Sequence, residues 1–188
     1  MRDQLAEGKD ALRRRLIGVR RELPADTRAE WSAEICRRVR TTEVFRRAAA
    51  IVSYRPIGAE VDPSGIDREV RASGRDLYYP GGTDAPRFQG ATQDVDGGAL
   101  LGTAESADTL FLVPGVAFDE AGGRLGRGRG WYDRALTGFE RAARVGLAFE
   151  VQIVPSVPAT SWDVSMDAVV TERRCILPQR SRLLGGNA

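Results

Sequence analysis

Short apolar runs that alternate with helix-forming segments constrain the fold of this 188-residue chain more than any other feature. From residue 48 onward, six runs have the composition of buried strands: AAAIVSY, RDLYYP, TLFLVPGVAF, ARVGLAF, DAVVT and RCILP. Helical patterns separate several of them, over residues 64–73 and in the segment GWYDRAL. This alternation predicts an α/β fold of three layers, α/β/α, in which helices cover both faces of a mostly parallel sheet.

Two helices are predicted before the first strand. An apolar stripe runs along residues 3–22, and Lys9 occupies the one vacant place in that stripe, with Arg13 one turn further on. The stripe consists of Leu5, Leu12, Leu16, Val19 and Leu23. A second helix is predicted up to about Arg40, where apolar residues recur at a spacing of four. We therefore expect Lys9 on the face of the first helix that meets the rest of the protein.

The segment of residues 81–108 differs from the rest of the chain. It is rich in small and polar residues, which predicts mostly loop with short strands around Phe88. The whole chain, residues 1–188, is predicted to be a single domain, because its length and its 42% hydrophobic content fit one core. Ligands of parallel sheets gather at the carboxyl ends of strands. There we expect Glu60, Asp119 and a glycine-rich loop.

The charge composition excludes several kinds of catalysis. The chain has no histidine, which rules out a Ser-His-Asp triad, a Cys-His pair and a histidine metal ligand. The basic residues are arginines except for Lys9. Chemistry must therefore depend on carboxylates, arginines, the single lysine, tyrosines, backbone amides or a metal held by oxygen.

Composition also limits the partners and the compartment. A net charge of +2 argues against a protein built to bind nucleic acid. No apolar run is long enough for a transmembrane helix, so no membrane partner is expected. Cys36 and Cys175 form no CxxC pair and fit a reduced, cytoplasmic protein. We expect a monomer or a weak homodimer that takes small-molecule ligands.

The segment RLGRGRGWYD, residues 124–133, is the strongest local signal for a ligand. Its pattern is GxGxG before a predicted helix, which is neither a Walker motif nor GxGxxG. Backbone N–H groups at a helix start attract anions, and Arg127 and Arg129 add charge and planar hydrogen-bond donors. The segment therefore predicts a phosphate site. The alternative is a solvated turn in an arginine-rich chain.

Residues around this segment extend the hypothesis. Asp133 would lie near the same phosphates, where Mg²⁺ could link it to them; alternatively it is an ordinary acid in the first turn of a helix. Trp131 and Tyr132 could stack on a flat ligand or belong to the core. Lys9 could contact phosphate or lie at the surface with its neighbour Arg13. Glu60 follows a strand and could accept hydrogen bonds from a substrate or simply cap a turn.

The motifs together resemble one known family, the 5-formyltetrahydrofolate cyclo-ligases, also called methenyltetrahydrofolate synthetases. The resemblance covers about residues 9–172. It depends on the segments KDALR, SYRPIGAEVD, LVPGVAFDEAGGRLGRGRGWYDRAL, RVGLAFEVQIVPSVP and MDAVVTE, in that order. It implies a three-layer α/β/α fold like that of sugar-phosphate isomerases and CoA transferases. It also implies Mg²⁺ and ATP.

The implied reaction is ATP-driven closure of 5-formyltetrahydrofolate to 5,10-methenyltetrahydrofolate, with release of ADP and phosphate. The formyl oxygen attacks the γ-phosphate, so no protein nucleophile is required. The resemblance implies ATP contacts from Lys9, Arg13, Arg124, Gly126, Arg127, Gly128, Arg129, Gly130, Trp131, Tyr132 and Asp133. It implies substrate contacts from Tyr54, Pro56, Glu60 and Tyr132. Arg129, Tyr132 and Glu60 would be catalytic, and Asp133 would bind the metal.

The sequence departs from the family pattern at several places. Pro63 replaces a threonine, and Trp162 stands where a histidine is common. Residues 80–108 lack the Glu-Pro segment expected around the folate. Two alternatives therefore stay open: a family member that uses Mg-ATP to activate a different amide or formamide oxygen, and a nucleotide-binding protein without turnover.

Overall fold

The computed structural model of the chain describes residues 2–81, 87–90, 108–160, 162–181 and 183, with side chains from residue 8 onward. The first half of the chain contributes helices α1 (Arg2–Glu22), α2 (Ala25–Thr41), α3 (Glu43–Arg47) and α4 (Ser64–Ala72). It also contributes strands β1 (Ala50–Val52), β2 (Asp76–Gly81) and β3 (Arg87–Gly90). Within these ranges, no helix is long and apolar enough to cross a membrane.

The second half completes the fold. It contains strands β4 (Thr109–Pro114), β5 (Ala117–Phe118), β6 (Arg124–Leu125), β7 (Ala143–Leu147), β8 (Ala168–Val170) and β9 (Cys175–Ile176). Helix α5 (Trp131–Thr137) follows β6, and a 3₁₀ helix (Glu150–Gln152) follows β7. Seven strands form one sheet in the order β3-β2-β1-β4-β7-β8-β9. The five central strands are parallel, whereas β3 and β9 pair antiparallel at the two edges.

Alternate residues of the sheet build two separate cores, as expected for strands that are covered on both faces. Ile51 and Leu110 point toward α2 and α4, where they join Ile35 and Ile66 in one cluster. The neighbouring residues in the strands point to the opposite face, where they pack with α5. That second cluster includes Val52, Phe111, Leu136 and Phe139. The predicted three-layer α/β/α arrangement is confirmed.

The run TLFLVPGVAF, which the sequence predicts as an apolar strand running into a turn, contains two strands. It forms β4 up to Pro114 and then turns, so that Ala117 and Phe118 pair with β6 in a separate two-stranded hairpin. Pro114 lacks the N–H that would continue the ladder. The short strand around Phe88 is present as β3. The loop prediction for residues 82–86 and 91–107 lies outside the described residues.

Helix α1 lies against this hairpin and not against the central sheet. Leu16 is buried in a small cluster with Val116, Leu125 and Val154. Asp119 closes the hairpin, because its carboxylate accepts hydrogen bonds from the backbone of Gly123 at 2.7 Å and of Val157 at 2.7 Å. Asp119 is therefore a structural residue of this turn. The hairpin brings one face of α1 to the carboxyl ends of β1 and β4.

Candidate functional site

A cavity of about 540 Å³ opens at the carboxyl ends of the parallel strands. Its walls come from α1, from the ends of β1, β2 and β4, and from the whole glycine-rich segment. The lining residues are Lys9, Arg13, Tyr54, Arg55, Ile57, Glu60, Pro80, Pro114, Gly115, Arg124, Leu125, Gly126, Arg127, Gly128, Arg129, Gly130, Trp131, Tyr132, Asp133 and Asp163. Its volume is typical of a site for a small-molecule ligand.

The backbone of the glycine-rich segment takes a conformation that requires glycine at two places. Gly128 has φ +93° and Gly130 has φ +60°, in the region that L side chains rarely adopt. Arg13 lies over this turn, where its Nε donates to the carbonyl of Gly126 at 3.0 Å and its Nη1 pairs with Asp10. Helix α5 has only seven residues, so its dipole is weak. Anion binding here depends mainly on backbone N–H groups and guanidinium groups.

Lys9 faces inward from α1, as its place in the stripe predicts. Its Nζ lies 2.8 Å from Oδ2 of Asp163. That oxygen also accepts a hydrogen bond from the backbone of Thr160 at 2.7 Å. Burial by itself would raise the pKa of Asp163, but the hydrogen bonds from Lys9 and Thr160 outweigh it, and the pKa is lowered. Lys9 and Asp163 therefore form an ion pair in the cavity wall.

Arg124 forms a second ion pair behind the glycine turn. Its side chain is buried, and Nη2 donates to Oδ1 of Asp133 at 3.0 Å. The guanidinium lies 5.4 Å from the ring centre of Tyr132, a cation–π contact. The backbone N–H of Val164 approaches the same Asp133 oxygen at 3.4 Å. Arg124 thus fixes the side chain of Asp133 and the ring of Tyr132 together.

Glu60 lies between two arginines. Nε of Arg127 donates to Oε1 of Glu60 at 2.9 Å, and Nη2 donates to the carbonyl of Ile57 at 2.9 Å. Nη2 of Arg20 lies 3.9 Å from the same Glu60 oxygen, while Nη1 donates to the carbonyl of Gly115 at 3.0 Å. Burial lowers the pKa of Arg20, and its Nε has no hydrogen-bond partner within the described residues. This network connects α1, the end of β4 and the glycine turn.

Two tyrosines give the cavity its apolar surface. The hydroxyl of Tyr54 donates to the carbonyl of Val61 at 2.8 Å. Burial raises the pKa of Tyr54 well above its ordinary value, and the nearby charge of Glu60 adds to that shift. Burial also raises the pKa of Tyr132. Both side chains are therefore neutral at physiological pH, able to offer a flat face and a hydroxyl but no phenolate.

The charge in the cavity is strongly unbalanced. Among the described lining residues, six cationic side chains face three carboxylates. The cations are Lys9, Arg13, Arg55, Arg124, Arg127 and Arg129, and the acids are Glu60, Asp133 and Asp163. Arg129 is exposed, and its side chain makes no hydrogen bond or ion pair within the part of the chain that the structure describes; its carbonyl accepts from Nη1 of Arg134 at 3.0 Å. Such an excess of positive charge favours an anionic ligand.

The structure brings together all the residues predicted for ligand contacts except one. Pro56 is exposed and does not line the cavity, although its neighbours Arg55 and Ile57 do. Three charged residues at the site were missed: Arg20, Arg55 and Asp163. Arg20 could have been found, because it lies four residues after Leu16 on the inward face of α1. Asp163 lies in an irregular segment, where no sequence period signals its position.

This fold and cavity define an α/β protein with a cationic cavity at the carboxyl ends of its strands, of a size and charge that suit a small anionic ligand. The model of the 5-formyltetrahydrofolate cyclo-ligase family matches residues 5–172 of the chain. The chain therefore belongs to the 5-formyltetrahydrofolate cyclo-ligase family, which confirms the resemblance seen in the sequence.

Individual relatives agree with this assignment. The 5-formyltetrahydrofolate cyclo-ligase of Escherichia coli (strain K12) is 44% identical over 64 residues, which cover 33% of this chain and 35% of that protein. The chain thus spans about a third of the length of the first curated relatives that it matches. The Mus musculus 5-formyltetrahydrofolate cyclo-ligase is 26% identical over 196 residues, which cover 87% of this chain and 93% of that protein.

A solved structure shares the fold over nearly the whole chain. The NMR structure of Aquifex aeolicus 5,10-methenyltetrahydrofolate synthetase superposes with a TM-score of 0.76 at 26% sequence identity. The superposition covers 93% of this chain and 94% of the Aquifex chain. The two chains therefore share their overall fold.

Proposed function

We propose that this protein uses ATP to convert 5-formyltetrahydrofolate to 5,10-methenyltetrahydrofolate, with release of ADP and phosphate. The observation that carries the proposal is the cationic cavity built around the glycine turn in a member of the cyclo-ligase family. The reaction requires a γ-phosphoryl group to pass to the formyl oxygen, after which a folate nitrogen closes the ring and phosphate leaves. The protein has to align these groups and stabilise charge.

The phosphate end of the cavity supplies that stabilisation. Lys9 and Arg13 of α1 and Arg129 of the glycine turn line this end of the cavity, and the N–H groups of residues 126–130 would complete the anion site. The side chain of Arg129 has no internal partner within the described residues and is free to meet the transferring phosphoryl group. We propose it as the residue that neutralises charge on that group, in agreement with its role implied by the family.

Several cations in this region already hold an acid of the protein. Lys9 holds Asp163, Arg124 holds Asp133 and Arg127 holds Glu60. A phosphate that binds Lys9 or Arg127 exchanges one anionic partner for another, so these side chains avoid the cost of an unpaired charge before ATP arrives. When phosphate binds Lys9 or Arg127, the acid that was paired with that side chain, Asp163 or Glu60, loses its cationic partner.

The site also suits Mg²⁺ in its chemistry. Asp133 follows Gly130 of the glycine turn by three residues, and its Oδ2 accepts no hydrogen bond within the described residues. Those residues contain no cluster of three acids or cysteines that could hold a metal by themselves. Mg²⁺ commonly uses one or two carboxylates together with phosphate oxygens, which Asp133 and ATP would provide. When bound, the ion would neutralise phosphate charge.

The substrate end uses uncharged contacts next to one carboxylate. Tyr54 and Tyr132 offer neutral rings for a flat pterin, and Glu60 can accept hydrogen bonds from its amino and ring N–H groups. Glu60 also contacts Arg127, which belongs to the glycine turn. This contact links the substrate end to the phosphate end through one ion pair.

The decisive test is turnover by the purified protein. Mg-ATP and 5-formyltetrahydrofolate are mixed with the protein, and methenyl absorbance is followed together with ADP release. We expect both products in equal amounts, and neither when ATP or folate is left out. ATP binding without methenyl formation would assign the site to a different amide or formamide substrate, and absence of both binding and turnover would refute the proposal.

A further inference from the structure

Arg55 is the one cavity-lining cation for which the proposed mechanism has no use. It follows the end of β1, is exposed to solvent and lines the cavity. Within the described part of the chain it makes no ion pair and no hydrogen bond. Its contact is with Tyr79, whose ring centre lies 4.6 Å from the guanidinium carbon. Arg55 therefore presents its donors to whatever occupies the cavity.

Tyr79 is a fixed support for this guanidinium. Its ring is buried, and its hydroxyl donates to Oδ2 of Asp67 at 2.8 Å. Nη2 of Arg71 in turn donates to the Tyr79 hydroxyl at 2.7 Å. These contacts hold the ring, and the stacked guanidinium loses less freedom on binding a ligand than an unsupported arginine does.

Arg55 lies on the side of the cavity that is formed by β1 and β2. These strands lie on one side of β4, and the cavity wall there includes Tyr54, Arg55, Ile57 and Pro80. Lys9 and Arg13 come from α1, which packs on the hairpin beyond β4. A ligand that reaches the glycine turn with its reacting group can therefore extend its other end toward Arg55.

We propose that Arg55 binds a carboxylate of the glutamate tail of the substrate, an inference that rests on the proposed function. 5-Formyltetrahydrofolate carries its formyl group on the pterin and two carboxylates on the glutamate at the opposite end. A guanidinium is the side chain best suited to a carboxylate, because its planar donors match both oxygens. Arg55 is thus a specificity residue that favours substrates whose tail reaches it and carries a carboxylate.

The test compares substrates with and without the tail. KM and kcat are measured for 5-formyltetrahydrofolate and for 5-formyltetrahydropteroate, which lacks glutamate, with the wild-type protein, Arg55→Ala and Arg55→Lys. We expect Arg55→Ala to raise KM for the glutamate form about five- to tenfold without changing kcat, and to leave KM for the pteroate form unchanged. Arg55→Lys should recover part of the loss.

Arg46→Ala serves as a matched control. Arg46 is an exposed arginine of α3, a helix that precedes β1 and so lies at the opposite end of that strand from the cavity. This variant removes the same charge and should leave both KM values unchanged. An equal rise of KM for both substrates in Arg55→Ala, or no rise for either, would overturn the proposal.

Failure of the proposed function would be visible separately. If the wild-type protein shows no turnover, binding of the same two compounds is measured directly by calorimetry. A preference for the glutamate form that Arg55→Ala abolishes would still support the tail site. No preference between the two compounds would overturn it.

Discussion

Lys9 and Arg124 at one end of the cavity and Arg55 at the other are held in place in different ways. At the phosphate end, Lys9 and Arg124 are each held by an acid of the protein, Asp163 and Asp133. At the end formed by β1 and β2, Arg55 has no acid within the described residues and lies on an aromatic ring. A paired cation is held in place but must exchange its partner to bind a ligand. A stacked cation is held in place and has its donors free.

This difference fits the charge that each end is proposed to bind. A triphosphate brings several negative charges and can compete with an internal carboxylate, whereas a single tail carboxylate has less to offer. The acids also limit repulsion among the clustered cations when ATP is absent. Variants at the two ends should therefore have different effects, and measuring these effects tests the comparison.

The largest effect is expected for Lys9→Ala. It removes the only lysine of the chain from the phosphate end, together with the charge-assisted hydrogen bonds that its ammonium group would make to phosphate. Such bonds are worth about 2–3 kcal/mol, so kcat/KM for ATP should fall by roughly 30- to 100-fold. The control is Arg14→Ala, an exposed residue of the same helix that lines no part of the cavity. Equal kinetics in the two variants would remove Lys9 from the phosphate site.

A smaller effect, on stability, is expected for Arg20→Met. The side chain of Arg20 is 3% exposed. It donates a hydrogen bond to the Gly115 carbonyl and lies 3.9 Å from the carboxylate of Glu60. Its loss should lower the free energy of unfolding by about 2 kcal/mol, measured by urea denaturation. Combining it with Glu60→Gln should cost less than the sum of the two single changes, because both single changes remove the same contact between Arg20 and Glu60. Strict additivity would show that the two residues do not interact.

How far the sequence predicts this site depends on the kind of signal. The glycine segment and Lys9 were predictable because each depends on a local pattern: residue types at fixed spacing, or a place in a helical stripe. Arg20 lies in the same helix but was missed, because a stripe defined by apolar residues passes over charged ones. The contact of Arg127 with Glu60 joins residues 67 positions apart and has no local signal.

The same distinction holds for the fold. The buried strands and the helices over 2–22 and 25–41 follow from periodicity, and they were predicted nearly to their ends. The division of TLFLVPGVAF into two strands was not predicted, because it depends on the pairing of residues 117–118 with residues 124–125. Long-range pairing decides such details, and one sequence does not show it.

A moderate local effect is expected for Gly128→Ala. The residue has φ +93°, and an added Cβ would also lie 3.4 Å from the guanidinium carbon of Arg13. The strain should be about 1–2 kcal/mol and confined to the glycine turn. We expect ATP affinity to fall about tenfold while folate binding in the absence of ATP is unchanged. Calorimetric titration with each ligand checks this, and Gly138→Ala, where φ is −82°, is the control. Weaker binding of both ligands would show that the two ends are not separable.

The smallest effect is expected on stability when the pH is changed, because pH should alter the Lys9–Asp163 ion pair but not the stacking of Arg55 on Tyr79. The pKa of Asp163 is lowered in the folded protein, so its ion pair with Lys9 stabilises the fold above the unfolded pKa of about 4 and is lost as pH falls through the folded value. Asp163→Asn should therefore cost about 0.5–1 kcal/mol of unfolding free energy at pH 7 and less at pH 3.

Arg55→Ala provides the contrast to this titration, because neither partner of its stacking contact changes charge between these pH values. The guanidinium stays protonated, and burial raises the pKa of Tyr79 to about 12. Any stability lost with Arg55 should be the same at pH 3 and pH 7, measured by denaturation at both. A loss confined to pH 7 would reveal a carboxylate partner for Arg55, and the two ends of the cavity would then hold their cations in the same way.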